Sequence, residues 1–246
     1  IGTETWGSIV SPSTRCGVTG LRPTFGRVSK HGAMALSWSM DKIGPIARSA
    51  RDCAIVFETI RGTDGYDLSV VEAPFNYNAT EDVKSMKVGY VKDLFERDYG
   101  NKSNDSLTLI EFENLGIDLL EIALPNELPT SALSIILASE ASAAFDLLTR
   151  SNRDSLLVNQ KKSAWPNYFR TSRFISAVDY INANRIRSQL IESLNDTLKS
   201  YDAVLVPSFG GNQLLMTNLT GNPCVVFPNG FNEEGSPTSF SIIGNL

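Results

Sequence analysis

The chain holds one histidine, His31, among its 246 residues, and that count narrows the chemistry open to it. A Ser-His-Asp arrangement would have to use His31 or a residue lying elsewhere. His31 sits in Ser29-Lys30-His31-Gly32, which reads as a solvated polar turn. Ser8, in Trp6-Gly7-Ser8-Ile9-Val10, lacks the glycine two positions later that a strand-to-helix nucleophile elbow needs. What remains is the loop Gly2-Thr3-Glu4-Thr5-Trp6-Gly7-Ser8, whose small and glycine residues let backbone N–H groups point toward the space beside the Ser8 hydroxyl. Such a ring of donors holds a developing oxyanion, and removing one donor costs about 3 kcal/mol of transition-state stabilisation.

Residues 2–52, GTETWGSIVSPSTRCGVTGLRPTFGRVSKHGAMALSWSMDKIGPIARSARD, closely resemble the signature region of the amidase signature family. Looser similarity continues through Tyr168 to Tyr201, Pro207, the block from Asn218 to Pro223, and Ser239 to Gly244. The resemblance implies hydrolysis of, or transfer from, amides by a Ser-Ser-Lys triad without metal or organic cofactor. Position by position, it makes Ser8 the serine that forms the acyl-enzyme and assigns the oxyanion loop to the backbone amides of Thr5, Trp6, Gly7 and Ser8. It places the bridging serine and the lysine base N-terminal to this region. A neutral, desolvated lysine accepting a proton through a bridging serine explains why no histidine is needed. Without those partners an alcohol is a poor nucleophile at neutral pH, so residues 1–246 alone are expected to be inert.

Three positions depart from the family pattern: Glu4 where Asp is usual, Trp6 where Gly is usual and Val10 where Arg is usual. An indole at position 6 restricts the loop and fills space near the nucleophile, which points to a narrow or unusual substrate range. Val10 removes a bracing charge, for which either Arg15 substitutes or nothing does. Glu140, Arg170, Arg173 and Asp179 fall where the family's substrate entrance runs, with structural ion pairing as the alternative. Asp41 and Asp52 read as turn and helix-start residues.

Positioning such a loop requires a folded core, and 42 % hydrophobic with 20 % charged residues is ordinary for one. A net charge of −5 with no Lys/Arg-rich run argues against a nucleic-acid footprint or a polybasic membrane patch. No run approaches the roughly 18 apolar residues of a membrane span. Small amide substrates fit this balance, a homo-oligomer is compatible with it, and a cytoplasmic location is the expectation. Cys16, Cys53 and Cys224 are odd in number and scattered, and read as buried free thiols. The Asn-X-Ser/Thr sites at Asn78, Asn101, Asn104, Asn195 and Asn218 read as unmodified surface residues.

The element pattern is α/β. Ser11-Pro12 reads as a cap and first helical residue of a short turn closed by Gly17, followed by a strand over 18–21. Ser49 with Asp52 opens a helix to Arg61 whose apolar side is Cys53, Ile55, Val56, Phe57 and Ile60. Residues 63–85 read as a long loop where a sub-boundary could lie. A strand-helix-strand unit is expected over 86–91, 105–115 and 119–124, long helices over 131–150 and 176–198, and strands at 203–206, 224–227 and 238–243. With the resemblance, this gives the amidase signature fold, a mixed β-sheet sandwiched between helices. The sequence, beginning at Ile1 and ending just after a strand, reads as a partial domain over 1–246 that starts inside the signature loop with its N-terminal part missing. The alternatives left open are the amidase subunit of a glutamyl-tRNA amidotransferase and a non-catalytic homologue that has kept the fold.

Overall fold

The computed structural model describes residues 1–246. Strand β1 (Gly2–Glu4) pairs antiparallel with β3 (Lys42–Gly44), setting Glu4 opposite Lys42. Between them lie helix α1 (Val10–Cys16) and strand β2 (Thr19–Arg22), and β4 (Ile46–Ala47) follows. Helix α2 (Ala50–Ile60) starts as its sequence predicts, with the Ser49 side chain accepting from the Asp52 amide. It buries Cys53, Ala54 and Phe57, whereas Ile55, assigned to the same side from the sequence, is exposed.

Residues 63–85 hold no helix or strand beyond a 3₁₀ turn at Val83–Ser85. After them come β5 (Val88–Tyr90), α3 (Lys92–Glu96), α4 (Lys102–Asn114) and β6 (Leu119–Glu121), with β5 and β6 parallel as a strand-helix-strand unit requires. The helix expected over 131–150 is broken into a 3₁₀ turn, α5 (Ile135–Ala144) and α6 (Asp146–Arg150). Phe145 leaves helical geometry at the break, and its ring stacks 4.6 Å from that of Phe169 on α7 (Trp165–Thr171). Helix α8 (Ala177–Leu198) runs its predicted length behind a Ser176 cap. Strand β7 (Ala203–Pro207), helix α9 (Gln213–Thr220), β8 (Cys224–Phe231) and β9 (Pro237–Ile243) complete the chain. Helix α9 had no sequence signal, because seven of its eight residues are buried and no polar face marks a period.

One seven-stranded mixed sheet, ordered β4-β2-β8-β9-β7-β5-β6, draws strands from both sides of residues 63–85. Alternation along β7 and β9 sends Val204, Val206 and Ile243 into a 21-residue core shared with α1, α5, α8 and α9. Leu205 and Phe240 point the other way, into a smaller core with Phe95 and the Phe112 ring of α4. Helices therefore cover both faces, as expected.

No helix is long and apolar enough to cross a membrane. Cys53 and Cys224 are buried free thiols; Cys16, at the exposed end of α1, corrects the reading that all three are buried. Asn218 corrects another: it is fully buried on α9, with its amide bonded to Glu4, and is no surface residue.

Candidate active site

Ser8 lies on the turn between β1 and α1 and is exposed. Its hydroxyl has no side-chain or backbone partner within residues 1–246, and the amides of Thr5, Trp6, Gly7 and Ser8 donate to no protein acceptor. The loop is nonetheless held on all sides. Gly7 takes φ +91°, and a Cβ there would stand 3.0 Å from Leu214 of α9. The Gly7 carbonyl accepts from the Ser11 amide at 2.7 Å. On the preceding side the Thr5 hydroxyl donates to Asp41, whose other oxygen accepts from the Leu36 and Ser37 amides at 2.8 and 3.0 Å. Asp41 is thus a turn residue, as expected, and also anchors the candidate loop.

Helix α1 is capped from a distance. Ser11 lies inside the helix and not at its cap, because the Glu4 carboxylate accepts from the Ile9 and Val10 amides at 2.8 and 3.0 Å. Gly17 closes the helix in the left-handed conformation, as its sequence predicts. The second Glu4 oxygen accepts from Arg22 and from the Asn218 amide, each at 2.8 Å, and the Glu4 and Arg22 side chains are both fully buried. Arg22 also donates to Thr217 and to the Asn222 carbonyl. Burial alone would raise the Glu4 carboxyl; the charge of Arg22 and hydrogen bonds from Arg22, Asn218 and Val10 outweigh it and hold the group at about 2.

Lys42 lies against the same cluster, its ammonium nitrogen donating to the Met40 carbonyl and, at 3.3 Å, to that of Asn218. Burial, then the charge of Arg22, drives its pKa well below the ordinary 10.5. The roles of Arg22 and Lys42 escaped sequence reasoning, and Asn218 was read there as a surface residue; the available signal was two cations set in strands. Val10 is fully buried in the main core and Arg15 is exposed, and the cation paired with Glu4 at the start of the loop is Arg22. Trp6 is 46 % exposed.

The entrance candidates resolve into structural pairs. Arg170 meets Asp154, Arg173 meets Asp146, and Asp179 bonds the Ser176 cap. Glu140 is buried and accepts from both hydroxyls of Ser37 and Ser39, the Ser39 amide and the Tyr180 hydroxyl. His31 is an exposed turn residue stacked 4.5 Å from the Tyr66 ring.

The candidate site is thus a serine at the head of a helix with unspent amides leading into it, carried by a mixed sheet between helix layers. The profile of the family described as Amidase matches residues 1–216, and the chain belongs to that family. It is 30 % identical to a glutamyl-tRNA(Gln) amidotransferase subunit of Marinomonas sp. (strain MWYL1), over 99 % of this chain and 59 % of the relative. The corresponding subunit of Thermotoga maritima superposes with a TM-score of 0.80 at 27 % identity, over 99 % of this chain and 57 % of that one. The native peptide amidase of Stenotrophomonas maltophilia shares the fold, with a TM-score of 0.81 at 24 % identity over 99 % and 58 % of the two chains. The chain spans about three-fifths of the length of the curated relatives it matches, 59 % and 61 % for two of them.

Proposed function

We propose that this protein cleaves amide C–N bonds through an acyl-enzyme on Ser8. The Ser8 oxygen attacks the amide carbonyl carbon, and its proton passes to a base that the family resemblance places outside residues 1–246. The carbonyl oxygen, now anionic, takes hydrogen bonds from the amides of the Thr5–Ser8 loop. Collapse breaks the C–N bond as the same proton returns to the leaving nitrogen, and water then hydrolyses the ester. The observation that carries the reading is an exposed serine hydroxyl preceded by four backbone N–H groups that no protein acceptor uses.

A test is substitution in the full-length protein. Ser8→Ala should abolish amide turnover while moving stability by less than about 1 kcal/mol, since an exposed hydroxyl without partners contributes little to folding. Retained turnover would refute the assignment.

A second reading rests on the curated relatives named as amidotransferase subunits. In it the same loop releases ammonia from glutamine and partner subunits receive it. Glu4, Trp6 and Val10 depart from the family pattern at the loop itself and weigh toward the first reading. Glutaminase activity that appears only with partner subunits would select the second.

A further inference from the structure

An exposed indole whose flanking residues are pinned calls for a physical account. Trp38 is 52 % exposed, yet Ser37 beside it is fully buried with its hydroxyl 2.6 Å from Glu140. Ser39 on the other side bonds Glu140 through its amide and hydroxyl, at 3.0 and 2.7 Å. Arg187 of α8 adds bonds to the Ser39 hydroxyl and carbonyl at 2.7 and 2.6 Å. Together with the bonds from Asp41, these are more than a turn of this length needs to close on itself. Their effect is to fix the chain on both sides of a large apolar side chain that stays about half exposed.

Trp38 forms a wall of a cavity of about 340 Å³ whose other surfaces include Thr3, Met34, Ile43 and the stacked pair His31–Tyr66. The cavity is tied to the Ser8 loop through two of its lining residues: Thr3 belongs to the strand that leads into the loop, and Asp41 is the acceptor of the Thr5 hydroxyl. Its lysine is already paired, and its Asp41 carboxylate is spent on neutral donors. Lys30 is 3.2 Å from Asp67, bonds the Ser69 hydroxyl and lies over the Phe25 ring, while Asp41 is engaged by three donors. A cavity of this size, apolar in most of its lining and with its only lysine already paired, suits an uncharged ligand. An aromatic wall carried on a fixed stretch of chain gives large contact area at low cost in side-chain freedom, and favours a flat partner.

Resting on the Ser8 reading above, we propose that Trp38 is the specificity-determining residue of this site, an indole platform that stacks the flat apolar acyl portion of a neutral aryl or arylalkyl amide. Acetamide has no ring to stack on it, and an arylalkyl carboxylate brings a negative charge to a lining that already holds Asp41 and Asp67.

The test uses the full-length protein carrying Ser8→Ala, so that the amides are not turned over, and protein-observed NMR titration with phenylacetamide, acetamide and phenylacetate. Phenylacetamide should bind at least tenfold tighter than either of the others and shift the indole N–H signal of Trp38, assigned through Trp38→Phe. Trp38→Ala should erase the tenfold preference, and Trp38→Phe should keep most of it. Equal binding of the three probes, a shift confined to the other indoles, or a preference unchanged in Trp38→Ala would overturn the proposal. The indole shift in the parent protein decides the matter even where Trp38→Ala fails to fold. Fluorophosphonate labelling of the full-length protein with Ser8 intact separates the two ideas. Ser8 labelled without Trp38-dependent binding removes the platform alone; Trp38-dependent binding with Ser8 unlabelled removes the acyl-enzyme and keeps the platform.

Discussion

Glu4 and Arg22 form an ion pair at 2.8 Å with both side chains fully buried, and the same carboxylate caps the helix that begins two residues after Ser8. One buried group therefore joins the fold's stability to the placement of its candidate nucleophile. Removing one partner of a buried pair strands the other charge, which costs about 3–5 kcal/mol. Glu4→Gln should show that loss in chemical denaturation at pH 7. The Glu4 carboxyl lies at about 2 in the folded chain against an ordinary 4.5, so its contribution is present above pH 4.5 and lost as pH falls toward 2. Glu4→Gln should accordingly flatten the acid limb of stability.

Lys42 carries the opposite sign. Its folded pKa is depressed by burial and by Arg22, so the unfolded chain binds the proton more readily and stability falls as pH drops below the ordinary 10.5. Lys42→Met fills similar space without that proton. Its Tm should exceed the parent's at pH 7, with the gap narrowing toward pH 10; a constant gap would contradict the account.

Asp105 of α4 titrates where measurement is easy. Burial raises its carboxyl to about 6, even though the Asn229 amide and Tyr99 hydroxyl donate to it at 2.7 and 3.0 Å. The folded chain holds this proton more tightly than the unfolded one, whose ordinary value is 3.8. Its stabilising contribution is complete below pH 3.8 and is lost as pH rises through 6. An amide at this position accepts from Asn229 and donates to the Tyr99 oxygen, so Asp105→Asn should lose less Tm than the parent between pH 4 and pH 7.

Gly7 is the backbone position with least tolerance. At φ +91° a side chain is strained by about 1–2 kcal/mol, and its Cβ would press on Leu214 at 3.0 Å. Gly7→Ala should lower stability by about that amount. It should also lower turnover by about 100-fold in the full-length protein, because displacing a catalytic loop by an ångström has effects of that order. Unchanged turnover would show that the loop's conformation is irrelevant to the chemistry.

Local signals in the sequence were sound where the interaction itself is local. Ser49 and Ser176 cap their helices three residues ahead, and both helices begin where those serines place them. Ser11-Pro12 misled because the true cap comes from Glu4, on a strand, and the break at Phe145 depends on a ring from another helix. The Ser8 loop was legible through resemblance. What secures it was not: Arg22 and Asn218 lie 18 and 214 residues from Glu4, and no spacing rule joins them. Trp38 likewise gains meaning only when Glu140 and Arg187 arrive from two distant helices.

During turnover an acyl group should rest on the Ser8 oxygen. The full-length protein, treated with a fluorophosphonate or quenched during turnover of an amide, should yield a Ser8-containing peptide heavier by the added group, with no such peptide from Ser8→Ala. Label on another residue, or turnover with Ser8 never modified, would contradict the account.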